Sequence, residues 1–323
     1  MRGLSGRGAG RAADAARLAA EVARLAGPVH GPLALAVSGG TDSLALMKLG
    51  AEAFPGNVHV LSVDHGLRPE AGAECALVGR LAAGLGQPHH ILALGLEPGG
   101  NVQARARDAR YAAMADWCRA NGVRLLLTAH HADDQAETLL MRLARGSGLA
   151  GLTGIRARTD LGDVSVLRPL LGWRREALAD IVRRAGWTPA DDPSNHDPAF
   201  DRTRARALLA GTGWLSADRL AAVAANLAEA EATLAWAETR AFETRTVQSG
   251  EALLIDPEGL PDELRRRLLA RALAAHGAAP DGPALQRLLA GLAEGGSGTL
   301  GPARADALAN GQWRVRAAPP RTR

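Results

Sequence analysis

The stretch LALAVSGGTDSLALM, residues 33–47, sets six small or polar residues, Ser38-Gly39-Gly40-Thr41-Asp42-Ser43, between two apolar runs. The first run, 33–37, has the length of a buried strand. The second, 44–53, reads as a helix stopped by Pro55-Gly56. No ordinary surface loop fits between them, so the chain turns tightly from strand into helix. A Gly-rich turn of this kind makes an anion site: glycine lets the backbone approach a ligand, and free N–H groups and the helix dipole point at it. The hydroxyls of Ser38, Thr41 and Ser43 add donors. The competing reading is a glycine turn that merely links two elements. Neither G-x-x-x-x-G-K-[ST] nor G-x-G-x-x-G is present, which excludes a Walker loop and a dinucleotide fingerprint. Asp42 is the odd residue. A carboxylate beside phosphates is repulsive unless a cation lies between them, so Asp42 points to Mg²⁺.

Working outward, the same alternation continues. Helical spacing covers 11–26. VHVLSVDHG (58–66), HHILAL (89–94) and VRLLLTAH (123–130) read as strands, each followed by a helical stretch: 71–84, 103–121 and 131–145. SVLRPLL (165–171) reads as one more strand and 174–186 as a helix. Strands alternating with helices imply an α/β fold, a parallel sheet with helices on both faces. PADDPSNHDPAFDRTRAR (189–206) reads as an ordered loop entering a helix. A long Ala/Glu-rich helix follows from 216 to about 247, and short strands around two short helices fill 250–323. The expected division is a first domain over 1–213 and, over 214–323, a long linking helix with a small C-terminal α+β domain.

Composition narrows the class. The 323 residues are 47% hydrophobic but only 3% aromatic, so the core must be built mainly of Ala, Leu and Val. Two cysteines, Cys75 and Cys118, with no C-x-x-C, argue against a disulfide framework, a zinc site or an iron–sulfur cluster. The apolar runs are too short to span a bilayer, and no secretory signal is legible, which predicts a cytoplasmic protein. Lys48 is the sole lysine, so 37 of the 38 basic residues are Arg, at a net charge of +4. GC-rich coding and a polyanionic partner both account for this. The Ala/Arg stretches 264–272 and 303–316 read either as plain amphipathic surface or as contacts to such a polyanion.

HHADDQAET (130–138) is a second constellation. On a helix His130 and Asp134 are i,i+4, His131 and Asp134 i,i+3, and Asp133 and Glu137 i,i+4, so each pair shares a face. The position follows a parallel strand, where open α/β sheets bind ligands. Acidic residues favoured by the helix dipole and a catalytic transition-metal site are both open readings. Burial would lower the His131 pKa and keep it a usable base near neutrality.

SGGTDS resembles the S-G-G-x-D-S signature of the PP-loop ATP pyrophosphatases, which cleave ATP between its α- and β-phosphates and adenylate an oxygen. Further motifs narrow the resemblance: VDHGLR (63–68), NVQARARDARY (101–111), TAHHADDQAETLLMRLARGSGLAGLTGI (128–155), RPLL (168–171) and DDPSNHDPAFDRTRAR (191–206). In this order they resemble the tRNA(Ile)-lysidine synthase family, well over 30–210 and loosely over 215–323. One departure is Thr203, where the family has Asn in R-N-x-x-R; Thr keeps a donor and an acceptor but loses the planar amide.

The resemblance implies a Rossmann-like PP-loop fold and catalysis by Asp42, His131 and Asp134, with Asp42 and Asp134 near Mg²⁺. It implies an ATP site of Ser38, Gly39, Gly40, Thr41, Asp42, Ser43, Val63 and Arg110. His65, Arg142, Arg145, Arg202 and Arg206 become candidates for tRNA or substrate contact, although His65 also suits a structural role and Arg142 and Arg145 a solvated face. The implied partners are tRNA(Ile) with a CAU anticodon and free lysine; a homodimer is left open. The alternatives are another PP-loop adenylating enzyme, such as a thiolase, and a non-catalytic tRNA-binding module.

Overall fold

The computed structural model describes residues 5–64, 66, 70–95, 102–190 and 201–319, and they form two compact units, 1–228 and 229–323. The first unit runs α1 (Ser5–Ala26), β1 (Leu33–Ala36), α2 (Thr41–Ala53), β2 (Val58–Asp64), α3 (Glu70–Gly84), β3 (His89–Ala93), α4 (Val102–Ala120), β4 (Leu125–Leu127), α5 (Ala132–Ala144), α6 (Leu149–Leu152), β5 (Arg158–Leu161), β6 (Val164–Leu167), α7 (Arg175–Arg184) and α8 (Asp201–Gly211). Helix α9 (Ala217–Arg245) crosses the sequence boundary between the units.

The sheet order is β3-β2-β1-β4-β6-β5, parallel throughout except for the β5–β6 pair. Apolar side chains from α1, α2, α3 and α7, among them Leu18, Leu44, Val78 and Leu178, pack with Leu33 and Leu35 into one core. Met114, Ala115 and Cys118 of α4 pack on Ala34, Leu61 and Leu126 across the sheet. Helix α2 lies close on β1: a Cβ at Gly50 would meet Leu35 Cδ1 at 2.6 Å, so any side chain there would have to displace the buried Leu35. Lys48, on the same helix, pairs with Glu52 at 2.8 Å. The chain lays down β1, β2 and β3 on one side and returns to place β4 on the other flank of β1. This makes a topological switch point, with β1 and β4 as neighbours.

The structure differs from the sequence reading at β5 and β6. The segment read as one strand over 165–171 is half of an antiparallel hairpin, turning at Gly162; the chain leaves the sheet at Arg168, and β5 carries the register Arg158↔Leu167 to Leu161↔Val164. Three consecutive polar residues, Arg158-Thr159-Asp160, conceal this edge strand from an apolar-run reading.

The second unit is a five-stranded antiparallel sheet. Its elements are β7 (Thr246–Ser249), β8 (Ala252–Ile255), α10 (Asp262–Ala275), α11 (Gly282–Ala293), β9 (Ser297–Leu300), β10 (Ala303–Ala307) and β11 (Trp313–Ala317), in the order β7-β8-β11-β10-β9. Leu253, Ile255, Ala303, Ala305, Trp313 and Val315 turn one sheet face onto Leu268, Leu269, Leu273 and Leu288 of the two helices.

Candidate active site

The switch point brings two strand ends together. After β1 the chain passes through Ser38-Gly39-Gly40 into α2. Gly39 stands at φ +93°, a backbone conformation that L side chains rarely adopt. The turn is cross-tied: Ser38 N–H donates to Ser43 Oγ at 3.1 Å, Ser43 Oγ donates to the Gly40 carbonyl at 2.9 Å, and Ala190 N–H donates to the Gly39 carbonyl at 3.0 Å. A helix leaves its first four N–H groups without intrahelical partners, so this turn offers donors to an anion. Thr41 and Asp42 open α2.

After β4 comes the second arm. His131 is the N-cap of α5 and is fully buried, with Asp133 and Asp134 in the first turn. Its Nε2 lies 3.3 Å from Asp42 Oδ2 and 3.5 Å from Asp134 Oδ2, while its backbone N–H donates to Asp134 Oδ2 at 3.1 Å. Residues 42 and 134, ninety-two apart in sequence, therefore converge on one imidazole nitrogen. The structure corrects the expected pKa direction. Burial opposes charging of His131, but the close carboxylates of Asp42 and Asp134 outweigh it, so the pKa is raised above its ordinary value.

Asp42 Oδ1 is buried without a hydrogen-bond partner among the described residues, which is an unmet demand for positive charge. No group of three or more His, Cys, Asp or Glu side chains among the described residues has the arrangement of a metal cage. Two carboxylates completed by phosphate oxygens and water suit Mg²⁺, which is seldom held by an all-protein cage. The donor set therefore fits the cation that Asp42 suggested.

His130 turns to different company. It lies before α5, and its Nδ1 sits 3.0 Å from Thr128 Oγ1. Burial pushes its pKa down to about 3, helped by the charges of Arg168, Arg107, Arg202 and Arg110. Four arginines thus bear on this one imidazole. Burial likewise lowers the Arg110 pKa, with Arg107 adding to it, and Arg110 stands 5.7 Å from the Tyr111 ring centre. Val63, near the end of β2, packs on the α4-side core.

The remaining predicted contacts are already engaged. Arg142 Nη1 donates to the Gly151 carbonyl and, at 2.8 Å, to that of Gly154. Arg145 pairs with Asp201 at 2.6 Å. Arg202 and Arg206 reach Glu137, at 3.4 and 2.9 Å, and Arg175 reaches it at 3.2 Å. Glu137 is buried, a carboxylate that the sequence reading noted only as a helical neighbour of Asp133. Asp133 instead accepts from Arg174 Nη2 at 3.1 Å and from the Arg175 backbone N–H at 2.8 Å, so Arg175 joins both carboxylates. Thr203 is half-buried on α8. His65 lies outside the described residues, as do 67–69, 101 and 191–200 of the quoted motifs.

Residues 14–211 match the PP-loop domain family. The tRNA(Ile)-lysidine synthase of Novosphingobium aromaticivorans is 48% identical over 293 residues, 90% of each chain. That of Zymomonas mobilis is 44% identical over 307 residues, 92% of each. Among solved structures, the U34-tRNA thiolase NcsA from Methanococcus maripaludis with its [4Fe-4S] cluster is similar at a TM-score of 0.56 and 16% identity, over 67% of this chain and 79% of that one. At that identity the likeness speaks for the fold alone. A PP-loop match over more than half its length, joined to near-full-length identity well above 40%, makes this chain a member of the tRNA(Ile)-lysidine synthase family of PP-loop proteins.

Proposed function

We propose that this chain is an ATP-dependent ligase that converts the wobble cytidine of a CAU-anticodon tRNA(Ile) to lysidine. The observation that carries the reading is the convergence of Asp42, His131 and Asp134 beside the Gly-rich turn, in a chain of this family. In the first step cytidine O2 attacks the α-phosphorus of ATP and displaces pyrophosphate. In the second, the ε-nitrogen of free lysine bonds to C2, the C2–O2 bond breaks, and AMP leaves with that oxygen. Adenylation is needed because a ring carbonyl oxygen is a poor leaving group.

The turn from Ser38 to Ser43 receives the phosphates on its amides and hydroxyls. Asp42 and Asp134 would hold Mg²⁺, which when bound would offset the charge of the triphosphate. Free lysine has a pKa of about 10.4 and must shed a proton before it attacks, and His131 takes that proton. Residues 1–213 carry adenylation, and 214–323 supply tRNA binding, mostly through phosphates. The target base leaves its stack at a cost of a few kcal/mol, less in a flexible loop.

A thiolase would need reactive or metal-bound thiols. Cys75 and Cys118 are both buried and free; burial raises both thiols, that of Cys118 to about 12. The decisive experiment incubates the chain with ATP, radiolabelled lysine and an in-vitro transcript of CAU tRNA(Ile), omitting each in turn. Label should enter tRNA only in the full mixture, with AMP and pyrophosphate released. ATP-independent labelling, or pyrophosphate release that never leads to labelled tRNA, would sink the reading.

A further inference from the structure

The sequence left two Arg-rich stretches, 264–272 and 303–316, with equal claim to a polyanion, and the structure separates them. On α10 the guanidiniums are matched by acids. Arg267 donates to Glu231 at 2.8 and 2.7 Å and to Glu263 at 2.7 Å. Arg266 pairs with Glu263 at 2.6 Å, Arg265 with Asp262 at 3.3 Å, and Arg271 lies 3.9 Å from Glu238 and over the Phe242 ring. Four arginines face four carboxylates, which leaves no net charge to offer.

The sheet face is different. Alternation turns Ala303, Ala305, Trp313 and Val315 into the core and puts Arg304, Asp306, Arg314 and Arg316 on the opposite face. The register sets Arg304 directly across from Arg316, and Asp306 across from Arg314. Like charges directly opposite on neighbouring strands are destabilising, so this arrangement costs the fold stability. Among the described residues Asp306 alone offsets it: Oδ1 accepts from Arg304 Nε at 2.7 Å, and Oδ2 faces Arg314 Nη2 at 3.2 Å and Arg316 Nε at 3.4 Å. One carboxylate against three guanidiniums leaves two charges over. Asp306 is sunk at 11% side-chain exposure while the arginines stand at 33, 41 and 42%, so the acid lies beneath and the cations are reachable. Arg314 Nε is buried and without a partner among the described residues. The anion these forks suit is planar or tetrahedral and takes paired N–H donors.

We propose that this face, Arg304, Arg314 and Arg316 set on Asp306, is a docking surface for the phosphodiester backbone of the tRNA, and that the arginines of α10 are not. The proposal rests on the reading of the chain as a tRNA-modifying enzyme and deepens it. Phosphate contacts position a nucleic acid without reading its sequence, so the face grips tRNAs of any anticodon. Its signature is the salt dependence of binding, which falls by about 0.7–0.9 in log–log slope for each phosphate contact removed.

The test measures salt titrations of the full chain with CAU tRNA(Ile) and with an unrelated elongator tRNA. The variants are Arg314→Gln/Arg316→Gln, the single Arg316→Gln, and Arg265→Gln/Arg271→Gln as the helix control. The expected result is a slope lowered by about 1.4–1.8 in the double variant and by about half that in the single one, for both tRNAs. The helix control keeps the parent slope, and the KM for tRNA rises in the sheet-face variants alone. Should the double variant fail to fold, the single variant decides. An unchanged slope in a folded sheet-face variant overturns the proposal, as does an equal loss in the helix control. A parent chain that makes no lysidine while the sheet-face variants still lose slope would refute the enzymatic reading and uphold this face. Lysidine formation with an unmoved slope would refute the face alone.

Discussion

Two glycines in one segment give a controlled measure of how α5 is fastened. Gly146 and Gly154 both sit in the left-handed region, at φ +66° and +70°. An alanine there costs about 1–2 kcal/mol of backbone strain, partly offset by about 0.4–1 kcal/mol from the stiffer unfolded chain. Around Gly146 a new methyl meets nothing within 4 Å, so Gly146→Ala should cost about 1 kcal/mol. At Gly154 the same methyl would lie 2.2 Å from Gln135 Oε1 and 3.3 Å from Ala224 Cβ. Gln135 must then give way. It clasps Ile155 by two hydrogen bonds, accepting from the amide at 2.6 Å and donating to the carbonyl at 2.9 Å. Each such bond contributes about 0.5–1.5 kcal/mol, so Gly154→Ala should cost about 2 kcal/mol more than Gly146→Ala. Urea unfolding of both variants against the parent, with slopes compared to check for an unchanged unfolded state, measures the gap. Losses equal to within about 0.5 kcal/mol would show that the clasp contributes nothing and that strain alone governs the segment.

Asp42→Ala should abolish pyrophosphate release while far-ultraviolet circular dichroism stays that of the parent, because the change is at a polar turn; a folded variant with normal release would remove the proposed Mg²⁺ role. His131→Ala should still release pyrophosphate with tRNA present but incorporate lysine slowly, as followed by rapid quench; equal loss of both steps would move the base to Asp134 or to water. His130, with its pKa lowered to about 3, stays neutral in the folded chain while the unfolded chain protonates near pH 6.5. Its contribution to stability is therefore present above that value and lost as pH falls below it. Nitrogen NMR should find one histidine that does not titrate between pH 5 and 8, and its signal should vanish in His130→Gln; titration of every imidazole in that range would contradict the buried basic surroundings.

What the sequence disclosed were features confined to short windows. The strand–turn–helix at Ser38–Ser43 was legible because glycine, hydroxyl and apolar residues change abruptly over six positions. The pairing of His131 with Asp134 was legible because three residues on a helix is a fixed distance. That Asp42 joins them followed only from both strand ends lying on one sheet, and the observed neighbours β1 and β4 supply that adjacency. The net direction of the His131 pKa was misjudged because burial is visible in an apolar neighbourhood, whereas the opposing carboxylates arrive from two elements. Glu137 was hidden for the same reason: its arginines stand 38, 65 and 69 residues further along the chain. Arg142 carried a basic charge that suggested phosphate, yet its guanidinium is spent on backbone carbonyls of its own loop.

The pairing of Lys48 with Glu52 has a practical consequence for spectroscopy. Lys48 is the sole lysine of the chain and lies on α2, fewer than two turns beyond Asp42. Isotopic dimethylation of amines would therefore place one side-chain reporter on the helix whose first turn forms the Gly-rich site, with the α-amino group as the sole other label. Because the ammonium is held to Glu52 of the same helix at 2.8 Å, the label moves with α2, and its chemical shift would report how that helix shifts against its neighbours. Nucleotide titrations could then be followed one resonance at a time in a protein of 33.5 kDa, without a single engineered residue.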